Sequence, residues 1–247
     1  MSQSFNPCLL IPVYNHEKPL VAILHKLASA PLPCLLVNDG SQDSCAGVIQ
    51  ALARQYPWVT VINLDTNRGK GGAVKAGILA AQDLGYSHAV QIDADGQHDL
   101  DDLPGFLAAA QSQPEAVIIG QPIFDASIPK LRYYARYLTH VWVMINTLSL
   151  SIRDSMCGYR VYPVYTCAQL ILTTPLEERM AFDVEILVRL YWQNVAMVCL
   201  PTRVGYPQDG ISHFRGWEDN LRISLTHARL FFGMLPRFFQ LLRRHFQ

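Results

Sequence analysis

The sequence predicts an α/β protein, a mostly parallel sheet flanked by helices, with amphipathic helices at its C-terminal end. Three observations carry this prediction. Short apolar runs rich in Val, Ile and Leu alternate with longer amphipathic segments through the first half of the chain. Polar turns bearing glycine follow three of those runs. A basic pattern rich in phenylalanine closes the chain.

The runs Cys8 to Val13, Cys34 to Val37, Val59 to Leu64, Ala89 to Ile92 and Ala116 to Ile119 are each of strand length. Between them, residues 17–29, 43–56, 70–84 and 101–112 read as helices, and this alternation implies right-handed crossovers. From Ile128 to Leu150 apolar residues recur every three or four positions. A mixed region containing RDSMCGYRVYP follows, then a helix near 182–193 and a strand near 195–204. Leu221, Leu225, Ala228, Phe232, Leu235, Phe239, Leu242 and Phe246 share one helical face, which Pro236 kinks or divides. With no repeat or linker, the simplest division is a domain over 1–215 and an amphipathic, basic helical appendage over 216–247.

Composition excludes several classes. Of 247 residues, 50% are hydrophobic and 16% charged, and 20 basic side chains balance 20 acidic ones, so the chain is neither disordered nor collagen-like. Neutrality argues against nucleic acid as a partner, although a local basic stripe escapes a whole-chain sum. Six cysteines form no CxxC pair and the opening residues lack a signal-peptide pattern, so reduced thiols in the cytoplasm are expected. The most lipid-like stretch, Tyr137 to Ile152, holds His140 and Asn146 and falls short of the roughly 20 apolar residues that cross a bilayer.

Ligands of open α/β sheets bind at the carboxyl ends of the strands, which directs attention to the turns. In Asp93-Ala94-Asp95-Gly96-Gln97, carboxylates two positions apart on an extended segment project to one side. With the Gln97 amide they offer hard oxygen ligands suited to Mg²⁺ or Mn²⁺. The same residues also suit an acidic solvated turn or a helix N-cap. Asp39, closing another strand in Asn38-Asp39-Gly40-Ser41, can accept from a nucleobase N–H or make an Asx turn. Asn67-Arg68-Gly69-Lys70-Gly71-Gly72 precedes a helix, where glycines admit a phosphate and Lys70 adds positive potential to the helix N-terminus. This is neither the GxxxxGK[ST] nor the GxGxxG pattern, and an ordinary turn is its other reading.

In chain order, PVYNHE (12–17), NDGSQDS (38–44), NRGKGGAVKAG (67–77), DADGQH (93–98), DSMCGYR (154–160) and FDVE (182–185) resemble the motifs of glycosyltransferase family 2. The likeness is greatest to the polyprenyl-phosphate sugar transferases of the dolichyl-phosphate mannose synthase type. It implies a GT-A (Rossmann-like) fold, a nucleoside-diphosphate sugar donor, Mg²⁺ or Mn²⁺, and inversion at the anomeric carbon. On the matching positions, Pro12, Tyr14 and Asn15 would flank the base and Asp39 would contact it. Asp93 would lie by the ribose and metal, with Asp95 and Gln97 as metal ligands. Lys70, Arg132 and Arg160 are the candidate cations for the departing diphosphate. Ser212 and His213 belong to a segment, Gly210 to Arg215, that resembles one closing over the diphosphate, with His213 in place of a basic residue.

The chain departs from that pattern elsewhere. Gly120-Gln121-Pro122 stands where relatives have Ser-Arg, Cys157 where Ser is usual, and Tyr159 where Phe is usual. A lipid-phosphate acceptor needs no catalytic base, whereas a hydroxyl acceptor does, and then Asp154 is the first candidate, with Asp183 and Glu185 behind it. Each also suits a structural role beside an arginine or in a turn. In the tail, Arg215, Arg222, Arg229, Arg237, Arg243 and Arg244 against Glu218 and Asp219 leave a net charge of +4. A basic amphipathic helix of this kind reads as lying in a membrane interface or packing on the domain or a partner. The expectation is an inverting, metal-dependent glycosyltransferase, peripheral on the cytoplasmic face of a membrane, with a lipid-linked acceptor. The alternatives are transfer to a hydroxyl of another lipid or glycan, and an inactive nucleotide-sugar-binding scaffold.

Overall fold

The alternation read from the sequence holds from the first strand onward. The computed structural model describes residues 4–124, 130–205 and 216–244, with the backbone alone at 124, 130–133 and 135. In order come β1 (Pro7–Val13), α1 (Glu17–Leu27), β2 (Cys34–Asp39), α2 (Asp43–Gln55), β3 (Val59–Leu64), α3 (Lys70–Asp83) and β4 (His88–Gln91). Next are α4 (Leu103–Ser112), β5 (Val117–Phe124) and α5 (Lys130–Thr147). The remainder is β6 (Arg160–Pro163), α6 (Val164–Thr173), α7 (Phe182–Trp192), β7 (Met197–Val204), α8 (Gly216–Met234) and α9 (Phe238–Arg243).

Two elements went unread in the mixed region. β6 is four residues long and buried at every position, including Arg160, so it shows neither alternation nor an apolar run. It continues straight into α6, with Pro163 as the residue between strand and helix. The seven strands lie in the order β3-β2-β1-β4-β6-β5-β7. β1 runs parallel to β2 and β4, and β2 to β3, so their carboxyl ends share one edge. β6 enters antiparallel between β4 and β5, and β7 runs parallel to β5.

Successive side chains of a strand point to opposite faces, and β1 shows how this divides the core. Cys8 and Leu10 pack with Ala73, Val74, Ile78 and the helices of one side, whereas Leu9, Ile11 and Val13 pack with Leu20, Leu24, Ile49 and those of the other. All six cysteines are free, and five of them are buried.

The C-terminal helices are placed with their predicted apolar face outward. Leu225, Phe232 and Phe239 are 61%, 69% and 76% exposed, and Leu221 and Leu235 are exposed beside them. The opposite side of α8, with Thr226, His227, Leu230 and Met234, is the buried one and packs on α5 and α7. On that face Asn146 Nδ2 meets His227 Nδ1 at 3.3 Å, and the His227 ring stacks on Trp142. Arginines tie the tail down, with Arg244 donating to the Tyr191 and Trp192 carbonyls and Arg237 lying over the Trp192 ring. α8 therefore carries apolar residues on two sides, which in a solvated helix calls for a second partner. No helix among the described residues is long and apolar enough to cross a membrane.

His227 makes this interface sensitive to acid. Burial lowers its pKa from 6.5 to about 4, so below about pH 6.5 the unfolded chain takes up a proton that the folded chain refuses. Stability attributable to this residue is intact above pH 6.5 and falls as the pH drops toward 4. Between about pH 7 and about pH 5 the loss should be about 2 kcal/mol. Urea unfolding at both values should show that loss reduced in His227→Gln, and an unchanged pH slope in the variant would refute the assignment.

Candidate active site

The carboxyl edge of the parallel strands gathers most of the residues singled out in the sequence. β4 ends at Gln91, and Asp93 begins the turn beyond it. Its Oδ1 accepts from Gln91 Nε2 at 3.1 Å, its Oδ2 lies 2.9 Å from Lys70 Nζ, and His98 Nε2 lies 3.5 Å away. Lys70 Nζ also pairs with Asp183 Oδ2 at 2.8 Å, and Asp183 Oδ1 faces Arg160 Nη1 at 3.3 Å. Charges thus alternate in a row from Asp93 through Lys70 and Asp183 to Arg160, with the His98 ring beside its first member. Burial alone would raise the Asp93 pKa, but Lys70 and His98 outweigh it and hold the carboxyl well below the usual range. Burial likewise opposes the charged form of Lys70, and Asp183 and Asp93 reverse that.

Asp95 departs from the extended geometry read from the sequence. Residues 94–96 form a turn, because Gly96 adopts φ +75° and the Asp95 Oδ1 accepts from Gln97 N at 3.0 Å. The two carboxylates still sense each other. Asp95 has its pKa raised, first by burial and then by the Asp93 charge, and unlike Asp93 it has no ion-pair partner among the described residues. No group of three or more His, Cys, Asp and Glu side chains that could hold a metal ion occurs among the described residues. Asp93, Asp95 and the Gln97 amide would supply only part of an ion's oxygen ligands. They suit an ion that draws its other ligands from a diphosphate and water.

Lys70 opens α3 behind Gly69, which takes φ +86° and is pressed against Arg179 and the Glu178 carbonyl. That conformation is open to glycine at little cost. Asp39 sits below this turn and is 2% exposed. Its carboxylate accepts from the backbone N–H of Arg68 at 2.7 Å and of Gly69 at 2.8 Å, and from Asn67 Nδ2 at 3.0 Å. Burial raises its pKa in spite of those donors. Asp39 thus fastens the end of β2 to the glycine turn, and a base N–H would have to share an oxygen already engaged.

Pro12, Tyr14 and Asn15 are half-buried at the end of β1. Asn15, at φ +52°, accepts from Gln42 N at 2.9 Å and donates its own N–H to the Ser41 hydroxyl oxygen at 3.2 Å, which joins the first two turns. Arg160 is fully buried under the row, with its guanidinium donating to Ser155, Cys157 and Asp183 carbonyls and the Tyr162 hydroxyl. It does not face the open edge. Gly158 lets that layer come close, since a Cβ there would meet Asp93 Oδ2 at 2.0 Å.

Asp154 is likewise engaged. Arg136 Nε and Nη2 lie 2.5 and 2.6 Å from its two oxygens, and Oδ1 also accepts from the N–H of Met156 and Cys157. Glu185 is fully buried among Arg189, Arg229 and the Glu177 N–H. The Arg132 side chain and all of Ser212 and His213 lie outside the described residues. Arg136, four residues beyond Arg132 on the same helix, was missed because no spacing announces its pairing with Asp154, and His98 was missed although it stands in the same DADGQH motif as its neighbour Asp93. The departures at 120 and 157 meet in the core, where a Cβ on Gly120 would lie 2.9 Å from Cys157 Sγ.

Residues 8–174 match the family model described as glycosyl transferase family 2. The chain belongs to that family. Among curated family 2 relatives, it is 31% identical over 211 residues to a dolichyl-phosphate beta-glucosyltransferase of Drosophila melanogaster, covering 75% of this chain and 63% of that one. It is 29% identical to an undecaprenyl-phosphate mannosyltransferase of Micrococcus luteus, covering 73% and 75%. The chain spans 59% to 63% of the length of the first dolichyl-phosphate glucosyltransferases it matches. Glucosyl-3-phosphoglycerate synthase from Mycobacterium tuberculosis, in complex with Mn²⁺ and uridine-diphosphate-glucose, superimposes with a TM-score of 0.63 at 14% identity, covering 91% of this chain and 79% of that one. The last comparison shows a shared fold, the mostly parallel sheet with flanking helices that the sequence predicts.

Proposed function

We propose that this family 2 member transfers a sugar, with inversion, from a nucleoside-diphosphate sugar to a polyprenyl phosphate. The observation that carries the reading is Asp95. It is a partly buried carboxylate, repelled by Asp93, lacking an ion-pair partner among the described residues, at the edge where α/β sheets hold their ligands. Asp93, Asp95 and Gln97 would hold Mg²⁺ or Mn²⁺, which when bound supplies neutralisation of the charge that gathers on the departing diphosphate. Lys70 fixes the Asp93 carboxylate and brings positive charge to the first turn of α3, whose N–H groups favour an anion. Arg160, spent on buried acceptors, acts as a positioning residue through Asp183. The C-terminal helices would lie on the cytoplasmic face of the membrane through their outward apolar stripe.

In the transfer, an acceptor oxygen bonds to the anomeric carbon as the bond to the diphosphate breaks. A phosphate oxygen is already ionised near neutral pH, whereas a hydroxyl must lose its proton to a base. Asp154, Asp183 and Glu185 are each held by an arginine, which favours the acceptor that needs no base. The test is a transfer assay with UDP- and GDP-sugars, Mn²⁺ and either polyprenyl phosphate or the matching polyprenol. Product is expected from the phosphate alone. Equal use of the polyprenol would favour a hydroxyl acceptor, and donor binding without turnover on either would favour a scaffold.

A further inference from the structure

A cavity of about 400 Å³ lies between the 66–68 turn, the 175–179 segment and α8. This is the size of a small-ligand site. Its charged walls are Arg68, Arg179, Arg222 and Arg229 with Glu177 and Glu178, two more cations than anions. The acids are already taken. Glu178 pairs with Arg68 and with Lys75 at 3.2 Å, and Glu177 pairs with Arg229 at 3.2 Å. Arg222 and Arg179 have no carboxylate within ion-pair distance among the described residues, and Arg179 reaches Asp39 only through space. Two guanidiniums facing one cavity, with the neighbouring acids neutralised, suit an anion with several oxygens, because the planar fork matches phosphate.

The place of the cavity narrows the ligand. Arg222 and Arg229 are seven residues apart on α8 and so lie on one line of the helix. That line borders the outward stripe of Leu221, Leu225 and Phe232. With the stripe sunk into the acyl boundary, this line stands at the level of the headgroups.

We propose that the cavity binds the phosphate of an anionic lipid headgroup, with Arg222 and Arg179 as its contacts. This rests on the membrane placement of the stripe given above. The bound headgroup would touch the segment whose Glu178 carbonyl accepts from Gly72 N at 2.8 Å, and so would brace the donor-side turn.

The test is co-sedimentation of the full chain with vesicles of phosphatidylcholine alone and of phosphatidylcholine doped with phosphatidylglycerol. The doped vesicles should bind more tightly. Arg222→Gln, an exposed position that threatens no core, should lower that binding by about fivefold and leave neutral-vesicle binding unchanged. Arg243→Gln, on the exposed end of the tail outside the cavity, should have a smaller effect. Equal losses in the two variants would mean diffuse attraction and overturn the site. The membrane placement is read separately, by loss of binding to both vesicles in the Phe232→Ser, Phe239→Ser double variant. Thermal shift with glycerol phosphate tells the sources apart: Arg222-dependent stabilisation in a protein that binds no vesicle would mean a soluble phosphate ester and overturn the lipid assignment.

Discussion

Asp95→Asn should cut sugar transfer by on the order of a thousandfold while leaving the fold intact. The asparagine keeps an oxygen to accept from the Gln97 N–H, so the 94–96 turn survives. What disappears is the charge that would hold the ion. Burial and the Asp93 charge raise the Asp95 pKa, so its ionised form opposes folding in the absence of metal, and the variant should melt at the same temperature or slightly higher. The wild type should gain thermal stability as Mn²⁺ is added together with UDP, because a ligand that binds only the folded state stabilises it. The variant should gain much less. Activity within tenfold of wild type would refute the role, as would an undiminished Mn²⁺ response.

Lys70→Met should be the most damaging single change to stability in the site, about 3–5 kcal/mol. It leaves the Asp93 and Asp183 carboxylates, now both 2.8–2.9 Å from one ammonium, facing each other without it. The loss belongs to uncompensated charge, so removing one acid should restore part of it. Lys70→Met combined with Asp183→Asn should recover at least about 1 kcal/mol relative to the single variant, a coupling expected of residues in one ion-pair network. Urea unfolding of the three variants checks this. A loss below about 1 kcal/mol for Lys70→Met, or simple additivity in the pair, would show that the row is screened by water rather than held by charge.

Alternation and turn chemistry made β1 to β5 and the first four helices legible, since each strand there is an apolar run with polar ends. β6 escaped because its four residues include a buried arginine and lie against distant strands. The site was legible where its residues sit in one turn, as with Asp93, Asp95 and Gln97. It was not legible where charges meet across the fold: nothing in the spacing of Lys70, Asp183 and Arg160 says that they form a row, or that Arg136 takes Asp154. The tail was read correctly as amphipathic, but periodicity gives a stripe without a side. Leu230 and Met234 turn inward beside a His227 that meets Asn146 and Trp142, contacts that no spacing announces.

The antiparallel entry of β6 has a consequence for how the chain assembles. β4 finds β1 among residues already synthesised, but its other neighbour carries residues 160–163 and is followed by the α7 that supplies Asp183. The middle of the sheet therefore closes through contacts far apart in sequence, the kind that slow folding. A chain still leaving the ribosome can complete the edge formed by β1 to β3 while Lys70 has yet to meet its second carboxylate, so the row of charges at the site is among the last parts of the molecule to be made.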